Sequence, residues 1–294
     1  MSFSSDVKKE LCTIEHDSDC CQRAEAYGML FFGRFFNKDE ISLTTDYTYV
    51  AERYAQSIRY LTGTDAEIIT SRSGKITVSV PEADDRIDII NELGYSENEF
   101  SLRLLETNIE NTCCFGAFIR GAFLSCGNIT DPKKEYHLEF DVTFLTKSLD
   151  LLEAFSDFPV TPKTSDRNGV NIIYFKDSSQ IEDILTVMGA QMSVMELIGE
   201  KILKDVRNKV NRKVNCDNAN LKKTALAAAN QTEAIEKLKE QGKFDNLPAD
   251  LKELAELRIS NPEMTLAELG ASLTKPLSRS GVNHKLKKLT DMTK

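Results

Sequence analysis

Cys20-Cys21-Gln-Arg-Ala24-Glu-Ala-Tyr-Gly28-Met-Leu30-Phe31 recurs later in the chain as Cys113-Cys114-Phe-Gly-Ala117-Phe-Ile-Arg-Gly121-Ala-Phe123-Leu124. The cysteine pair, the alanine and the glycine coincide, and the apolar positions correspond. Both segments carry helical spacing, and the elements after each run in the same order. After the first, Arg34–Thr44 is a hairpin turning near Asn37–Asp39. Val50–Leu61 is helical. Ala66–Thr70 and Lys75–Val80 flank Ser71-Arg-Ser-Gly74 as a second hairpin. Asp84–Leu93 is a helix that stops at Gly94.

The second copy has a matching succession. Asp131-Pro-Lys-Lys separates an edge strand from Tyr136–Phe144, and Lys147–Phe155 is helical. Val160–Thr164 and Val170–Phe175 flank Asp166-Arg-Asn-Gly169, and Ile181–Met188 is a helix ending at Gly189. Each copy therefore reads helix, hairpin, helix, hairpin, helix. The expectation is an α+β body over residues 1–190, duplicated at about 20–95 and 113–190, with two antiparallel sheets about a pseudo-two-fold axis.

The first helix of each copy is unusually rich in small residues: Ala24, Gly28 and Gly33 in one, Ala117, Gly121 and Cys126 in the other. Glycine inside a helix costs roughly 1 kcal/mol against alanine. Close approach of a second backbone compensates for that cost, so the two helices are expected to pack on each other at the axis. Local side-chain room is the alternative. The pairs Cys20-Cys21 and Cys113-Cys114 begin these helices. Four thiols could hold zinc if the helix starts converge. Adjacent cysteines are poor chelators, however, and the usual C-x₂-C spacing is absent. Small buried residues at a tight helix start account for them as simply, so no metal and no cofactor are expected.

The remainder of the chain changes character. Residues 191–294 hold 19 Lys/Arg against 14 Asp/Glu, whereas residues 1–190 hold 18 against 32, within a total net charge of −9. An acidic body is poorly suited to bind nucleic acid over its whole surface, while a basic tail can do so locally. The body's Arg72, Lys75, Lys163 and Arg167 lie mostly near hairpin turns. Residues 191–230 read as a basic helical linker, with Lys201, Lys204, Arg207, Lys209, Arg212 and Lys213 as candidate phosphate contacts. Within it, Asn211–Asn220 reads either as a linker that bends against DNA phosphate or as a plain connector, and Leu221–Leu238 returns to helical spacing, with breaks at Gly242 and Pro248.

Residues 231–294 carry the clearest mechanism. Asp250–Ile259 is a helix ended by Asn261-Pro262. Thr265-Leu-Ala-Glu268 is a capping box opening a short helix to Leu273. After the turn Thr274-Lys-Pro-Leu-Ser, Ser278 or Ser280 caps a third helix ending near Leu289. Val282, Leu286 and Leu289 share one face and should pack on Leu266, Leu269 and Leu273. Arg279, Ser280, Asn283, His284 and Lys287 then point outward, a helix-turn-helix signature. Arginine can read guanine and asparagine adenine through bidentate contacts. Lys285, Lys287 and Lys288 would position the phosphate backbone. A helical bundle with a solvated basic face is the alternative.

No apolar run approaches the length of a membrane span, and MSFSSDVKKEL at the start lacks the apolar core of a signal peptide. Seven cysteines and three histidines fit neither a disulfide scaffold nor a His-built metal enzyme. The expected setting is cytoplasmic and nucleoid-associated.

The helix-hairpin repeat resembles the LAGLIDADG homing-endonuclease fold. The whole chain more closely resembles the sporulation-regulator family WhiA. The residues that carry this are MSFSSDVKKEL, Ile119-Arg-Gly-Ala-Phe-Leu-Ser-Cys-Gly127, Asn211-Arg-Lys-Val-Asn-Cys-Asp-Asn-Ala-Asn-Leu221 and Leu277-Ser-Arg-Ser-Gly-Val-Asn-His-Lys-Leu286. The resemblance implies a bacterial DNA-binding transcription regulator of sporulation and cell division. It would pair an endonuclease-like body with an all-α helix-turn-helix domain. The resemblance also implies that cleavage would need an acid at the end of each central helix to hold divalent metals. The matching positions are Gly33 and Cys126, and neither offers a carboxylate; Asp131 reads as a turn residue. The expectation is no enzymatic activity. Double-stranded DNA is the expected partner, with another regulatory protein or the transcription machinery as a second; no membrane or small-molecule ligand is expected. The alternative function is a protein adaptor whose acidic body docks a partner and whose tail binds DNA weakly.

Overall fold

A computed structural model describes residues 2–16, 18–96 and 102–293. The chain divides into two compact units, residues 1–204 and 205–294.

The first unit opens with α1 (Phe3–Cys12), whose Val7 and Leu11 are fully buried. The first repeat runs α2 (Asp19–Phe31), β1 (Phe35–Phe36), β2 (Ile41–Thr45), α3 (Thr48–Thr62), β3 (Glu67–Thr70), β4 (Ile76–Ser79) and α4 (Ala83–Glu92). After a 3-10 turn at Glu106–Asn108, the second repeats that order. It comprises α5 (Thr112–Cys126), β5 (Gly127–Ile129), β6 (Leu138–Val142), α6 (Leu145–Ala154), β7 (Lys163–Arg167), β8 (Val170–Phe175) and α7 (Ser178–Met188). The two sheets have matching antiparallel topology, β1-β2-β4-β3 and β5-β6-β8-β7. The duplication expected from the sequence is therefore present in element order and in strand pairing.

The axis of the unit is the contact between α2 and α5. A Cβ on Gly28 would lie 3.1 Å from the Ala122 backbone nitrogen and closer still to the Phe118 carbonyl oxygen. A Cβ on Gly121 would lie 2.8 Å from the Met29 nitrogen and closer to the Glu25 oxygen. The glycines thus face the partner backbone, not local side chains. Around them, Tyr27, Met29, Phe31, Phe118 and Phe123 are fully buried. The inner faces of the sheets, Ile41, Leu43 and Val78 on one and Leu138, Phe140 and Ile173 on the other, complete the same core.

One buried polar cluster crosses the axis. Glu25 accepts from Arg53 Nε at 2.6 Å and Arg120 Nε at 2.5 Å, and meets His16 Nε2 at 3.0 Å. Arg120 also donates to the Met188 carbonyl at 2.9 Å. Burial pushes the Glu25 carboxyl up, but the His16 and Arg53 hydrogen bonds and the Arg120 charge outweigh it and hold it down at about 2.

Two sequence expectations need correction. The strand expected at Val160–Thr164 lies instead at Lys163–Arg167. Pro162 has no N–H for the ladder. Asn168 (φ 56°) and Gly169 (φ 80°) form a left-handed two-residue turn, so pairing runs up to Arg167 opposite Val170. Nor is residues 191–230 a helix followed by a connector: α8 is one 50-residue helix, Gln191–Glu240, containing Asn211–Asn220 without a break.

In the second unit, the end of α8 is followed by a 3-10 turn (Phe244–Asn246), α9 (Ala249–Ser260), α10 (Leu266–Ala271) and α11 (Arg279–Asp291). Ile235 and Leu238 of α8 join Leu251, Leu254, Leu269, Leu273, Val282, Leu286 and Leu289 in its core, with Leu266 partly buried against them. The capping box forms: Glu268 N donates to Thr265 Oγ1 at 3.3 Å, and Thr265 N to Glu268 Oε2 at 2.8 Å. Among the described residues, no helix is long and apolar enough to cross a membrane.

Candidate nucleic-acid interface

The α10–turn–α11 geometry is fixed from several sides. Leu277 N donates to the Gly270 carbonyl at 3.0 Å. Any side chain at residue 270 would strike the Leu277 carbonyl oxygen. Glu253 accepts from Thr274 N at 2.6 Å and from Thr274 Oγ1 at 2.7 Å, which pins the start of the turn. Arg258, 2% exposed, donates to the carbonyls of Pro262 at 3.3 Å and Met264 at 2.8 Å, holding the segment that leads into α10. Ser278 is the N-cap of α11, accepting from Gly281 N at 3.3 Å. The first turn of α11 holds no acid and begins with the exposed Arg279, a helix start that favours an approaching phosphate.

With Val282, Leu286 and Leu289 turned inward, α11 exposes Arg279, Ser280, Asn283, His284, Lys287 and Lys288. The side chains of Arg279, Asn283, His284, Lys287 and Lys288 have no hydrogen-bond or ion-pair partner among the described residues. Ser280 shares a hydrogen bond with Ser278 at 3.0 Å. Lys285 differs from the rest: it is half-buried and donates to Asp250 Oδ2 at 2.5 Å.

The six α8 cations separate similarly. Lys201 pairs with Glu182 at 2.8 Å, and Lys204 donates to the Lys134 carbonyl at 3.4 Å while lying 4.5 Å over the Tyr136 ring. Arg207, Lys209, Arg212 and Lys213 are exposed. By the 3.6-residue repeat, Lys209, Arg212 and Lys213 share a face and Arg207 lies off it.

In the first unit, α2 and α5 run in parallel, so their C-terminal ends meet at one pole. A groove of roughly 350 Å³ lies there, lined by Gly33, Cys126, Asp141 and Lys147 among others. Gly33 lies just beyond α2, and Cys126 is the last residue of α5. Two lysines that carry no motif in the sequence also occupy this pole. Lys8 of α1 donates to the Leu124 carbonyl at 3.2 Å, and Lys147 of α6 donates to the Phe31 carbonyl at 2.7 Å. Each central helix therefore ends on a buried ammonium. Burial lowers both lysines to about 8 and raises the Cys126 thiol to about 12. Asp141 contributes the groove's one carboxylate among the lining residues, and burial pushes it up. Asp131 is a turn residue as expected, accepting from Lys133 N at 2.8 Å.

Residues 115–207 match the model of the WhiA LAGLIDADG-like domain, and residues 210–293 that of the WhiA C-terminal HTH domain. A probable cell division protein WhiA of Ruminiclostridium cellulolyticum is 35% identical, covering 99% of this chain and 97% of its own. The chain belongs to the WhiA family. The probable cell division protein WhiA of Lachnoclostridium phytofermentans is 37% identical over 98% of this chain and 97% of its own. The crystal structure of full-length DUF199/WhiA from Thermatoga maritima matches with a TM-score of 0.61 at 26% identity, covering 100% of this chain and 98% of that one. The fold is thus a LAGLIDADG-like α+β body followed by an all-α helix-turn-helix domain, as WhiA membership implies.

Proposed function

We propose that this chain is a sequence-specific DNA-binding regulator of transcription serving bacterial cell division and sporulation, in which α11 reads the major groove. The observation that carries the reading is the outer face of α11: Arg279, Asn283, His284, Lys287 and Lys288 are unpartnered among the described residues, on a helix whose inner face is locked into a helical core. Asn283 suits adenine, and Arg279, on the first turn, suits guanine. Lys287 and Lys288, with Arg207, Lys209, Arg212 and Lys213, supply phosphate contacts. The relatives' designation as cell division proteins supports the biological setting.

The test is sequencing of genomic fragments retained by the purified chain at physiological salt. Discrete peaks sharing a motif are expected. Asn283→Ala should weaken the preferred site by about 1–3 kcal/mol and leave other sequences nearly unchanged. Equal weakening everywhere would remove Asn283 from base reading.

The LAGLIDADG-like body has no nuclease activity in this reading. The positions matching the metal-holding acids are Gly33 and Cys126, and Lys8 and Lys147 place positive charge against both helix ends. A divalent cation there would meet two ammoniums and a thiol, with Asp141 as the one carboxylate among the lining residues. Incubating supercoiled plasmid with the pure chain and Mg²⁺ should produce no nicking.

One observation favours a second use of the body. Ile68, Ile69, Leu145 and Leu149 are large apolar side chains about half exposed, on a unit rich in carboxylates. Exposed apolar side chains at these places, on β3 of the first repeat and α6 of the second, suit a protein partner better than a phosphate backbone. Even fragment coverage without peaks would favour this adaptor reading over base-specific regulation.

A further inference from the structure

The pole opposite the lysines holds four thiols. Cys20 and Cys21 stand in the first turn of α2, and Cys113 and Cys114 in the first turn of α5. Their four Sγ atoms all lie within 4.8 Å of one another. Cys20 Sγ and Cys113 Sγ are 3.8 Å apart. A tetrahedron of sulfurs about 2.3 Å from a central ion has edges of about 3.8 Å. We propose that Cys20, Cys21, Cys113 and Cys114 form a tetrathiolate site for one Zn²⁺, tying the two repeats of the body together at the start of its central helices.

Three features support the assignment. First, the difficulty with adjacent cysteines is removed by the fold. One neighbouring pair cannot enclose an ion, but Gly28 and Gly121 let the helix backbones touch, and this brings the second pair within bonding range of the first. The small residues and the thiols are then parts of one arrangement.

Second, the electrostatics call for negative charge. The helices are parallel, so their positive ends meet here and do not cancel. Neither N-cap residue, Ser18 or Asn111, makes a side-chain capping bond. Ser18 Oγ instead lies 3.2 Å from Cys20 Sγ. Zn²⁺ with four thiolates carries a net charge of −2, facing both helix ends, and binding releases the thiol protons.

Third, the cluster fits this ion better than other candidates. Four sulfurs exclude Mg²⁺ and Ca²⁺, which take oxygen. Sulfurs this close enclose one ion and leave no room for an iron–sulfur cluster with its own inorganic sulfides. Cys113 is exposed and Cys114 buried, so the site is open to loading on one side and anchored on the other.

The full chain, purified under reducing conditions without chelator, is assayed for zinc by elemental mass spectrometry. One zinc per chain is expected, released by a thiol-specific mercurial. Replacement with Co²⁺ should give the sulfur-to-metal charge-transfer band and intense visible bands of a tetrahedral tetrathiolate, a readout that needs no variant. Cys20→Ser/Cys113→Ser should lose the zinc, while Cys216→Ser, which removes an exposed thiol of α8, should keep it. The affinity loss should exceed the 10–100-fold typical of removing an outer-shell partner. A chain without zinc whose Co²⁺ form lacks the charge-transfer band would overturn the proposal. So would zinc retained by the double variant, or a Cys20–Cys113 disulfide in the freshly isolated protein.

Discussion

Replacing Gly28 with alanine adds one methyl group where the structure has another helix's backbone. Ordinary contact for that carbon begins near 3.4 Å, yet it would stand 3.1 Å from the Ala122 nitrogen and nearer still to the Phe118 carbonyl oxygen. Backbone cannot rotate away as a side-chain tip can, so α2 and α5 must separate by about 1 Å. A gap of that size forfeits a quarter to a half of each dispersion contact it opens. Overpacking of this kind costs about 1–3 kcal/mol, and the upper end applies because the obstacle is rigid. The helix itself gains roughly 1 kcal/mol from losing a glycine. The net expectation is destabilisation by about 2 kcal/mol, or a fall in urea midpoint of about 1 M for a slope near 2 kcal/mol/M. Gly121→Ala, 2.8 Å from the Met29 nitrogen, should behave alike. The double variant should cost less than the sum, because one separation relieves both clashes. Gly199→Ala is the internal control: nothing lies within 4 Å, so it should stabilise the same unit by up to about 1 kcal/mol. Opposite signs for Gly28 and Gly199 in urea unfolding, measured by circular dichroism, carry the argument. A Gly28→Ala midpoint at or above that of the unmodified chain would refute close backbone packing at the axis.

Single groups set the other expected outcomes. Glu25 is held at about 2 against an ordinary 4.5, so its contribution of about 3 kcal/mol is present above pH 4.5 and lost as pH falls toward 2. Urea midpoints between pH 5 and 2.5 should therefore fall more steeply for the unmodified chain than for Glu25→Gln, and parallel slopes would contradict the assignment. Gly33→Asp/Cys126→Asp should not acquire Mg²⁺-dependent plasmid nicking, because Lys8 and Lys147 would pair with the new carboxylates; cleavage by the variant would show that the ammoniums do not block the centre. Asp250→Asn should free Lys285 and steepen the salt dependence of DNA binding by up to about 0.9 in the logarithmic slope, measured by fluorescence anisotropy. An unchanged slope would keep Lys285 out of phosphate contact.

The sequence disclosed the parts of this molecule whose causes are local or repeated. The glycine and cysteine pairs recur at matching places, so the duplication and the central helix contact could be read without coordinates. The capping box at Thr265–Glu268 and the Ser278 cap are short-range chemistry, and α10 and α11 stand where they predict. The continuity of α8 was hidden by Asn211–Asn220, whose weak helix propensities invite a connector. Each such residue costs at most about 0.7 kcal/mol in a helix, whereas no glycine or proline occurs from Glu200 to Gln241 to stop one. That absence was the better signal. β7 was misplaced because its five residues are all exposed, leaving no alternation to mark it. Lys8 and Lys147 were illegible as site residues: they arrive from α1 and α6, far in sequence from Gly33 and Cys126.

The parallel arrangement of α2 and α5 links the two poles of the body. Antiparallel helices would largely cancel each other's end charges, but parallel ones add them, leaving a positive pole and a negative pole in one core. Each pole then needs a counter-charge. At the negative pole a nuclease of this fold, as the resemblance implies, would place carboxylates and divalent metals, whose cations also neutralise the carbonyl ends. Here Lys8 and Lys147 supply that positive charge directly through hydrogen bonds to Leu124 and Phe31. The body therefore satisfies its helix ends without the metals that cleavage needs, and loss of the acids carries no structural penalty at this pole. At the positive pole Asp19 in the first turn of α2 supplies one negative charge, the first turn of α5 has no acid, and the groups between the two helix starts are thiols. Thiols become anions most readily on binding a soft cation, so the proposed zinc site would add negative charge at the helix starts as the lysines add positive charge at their ends.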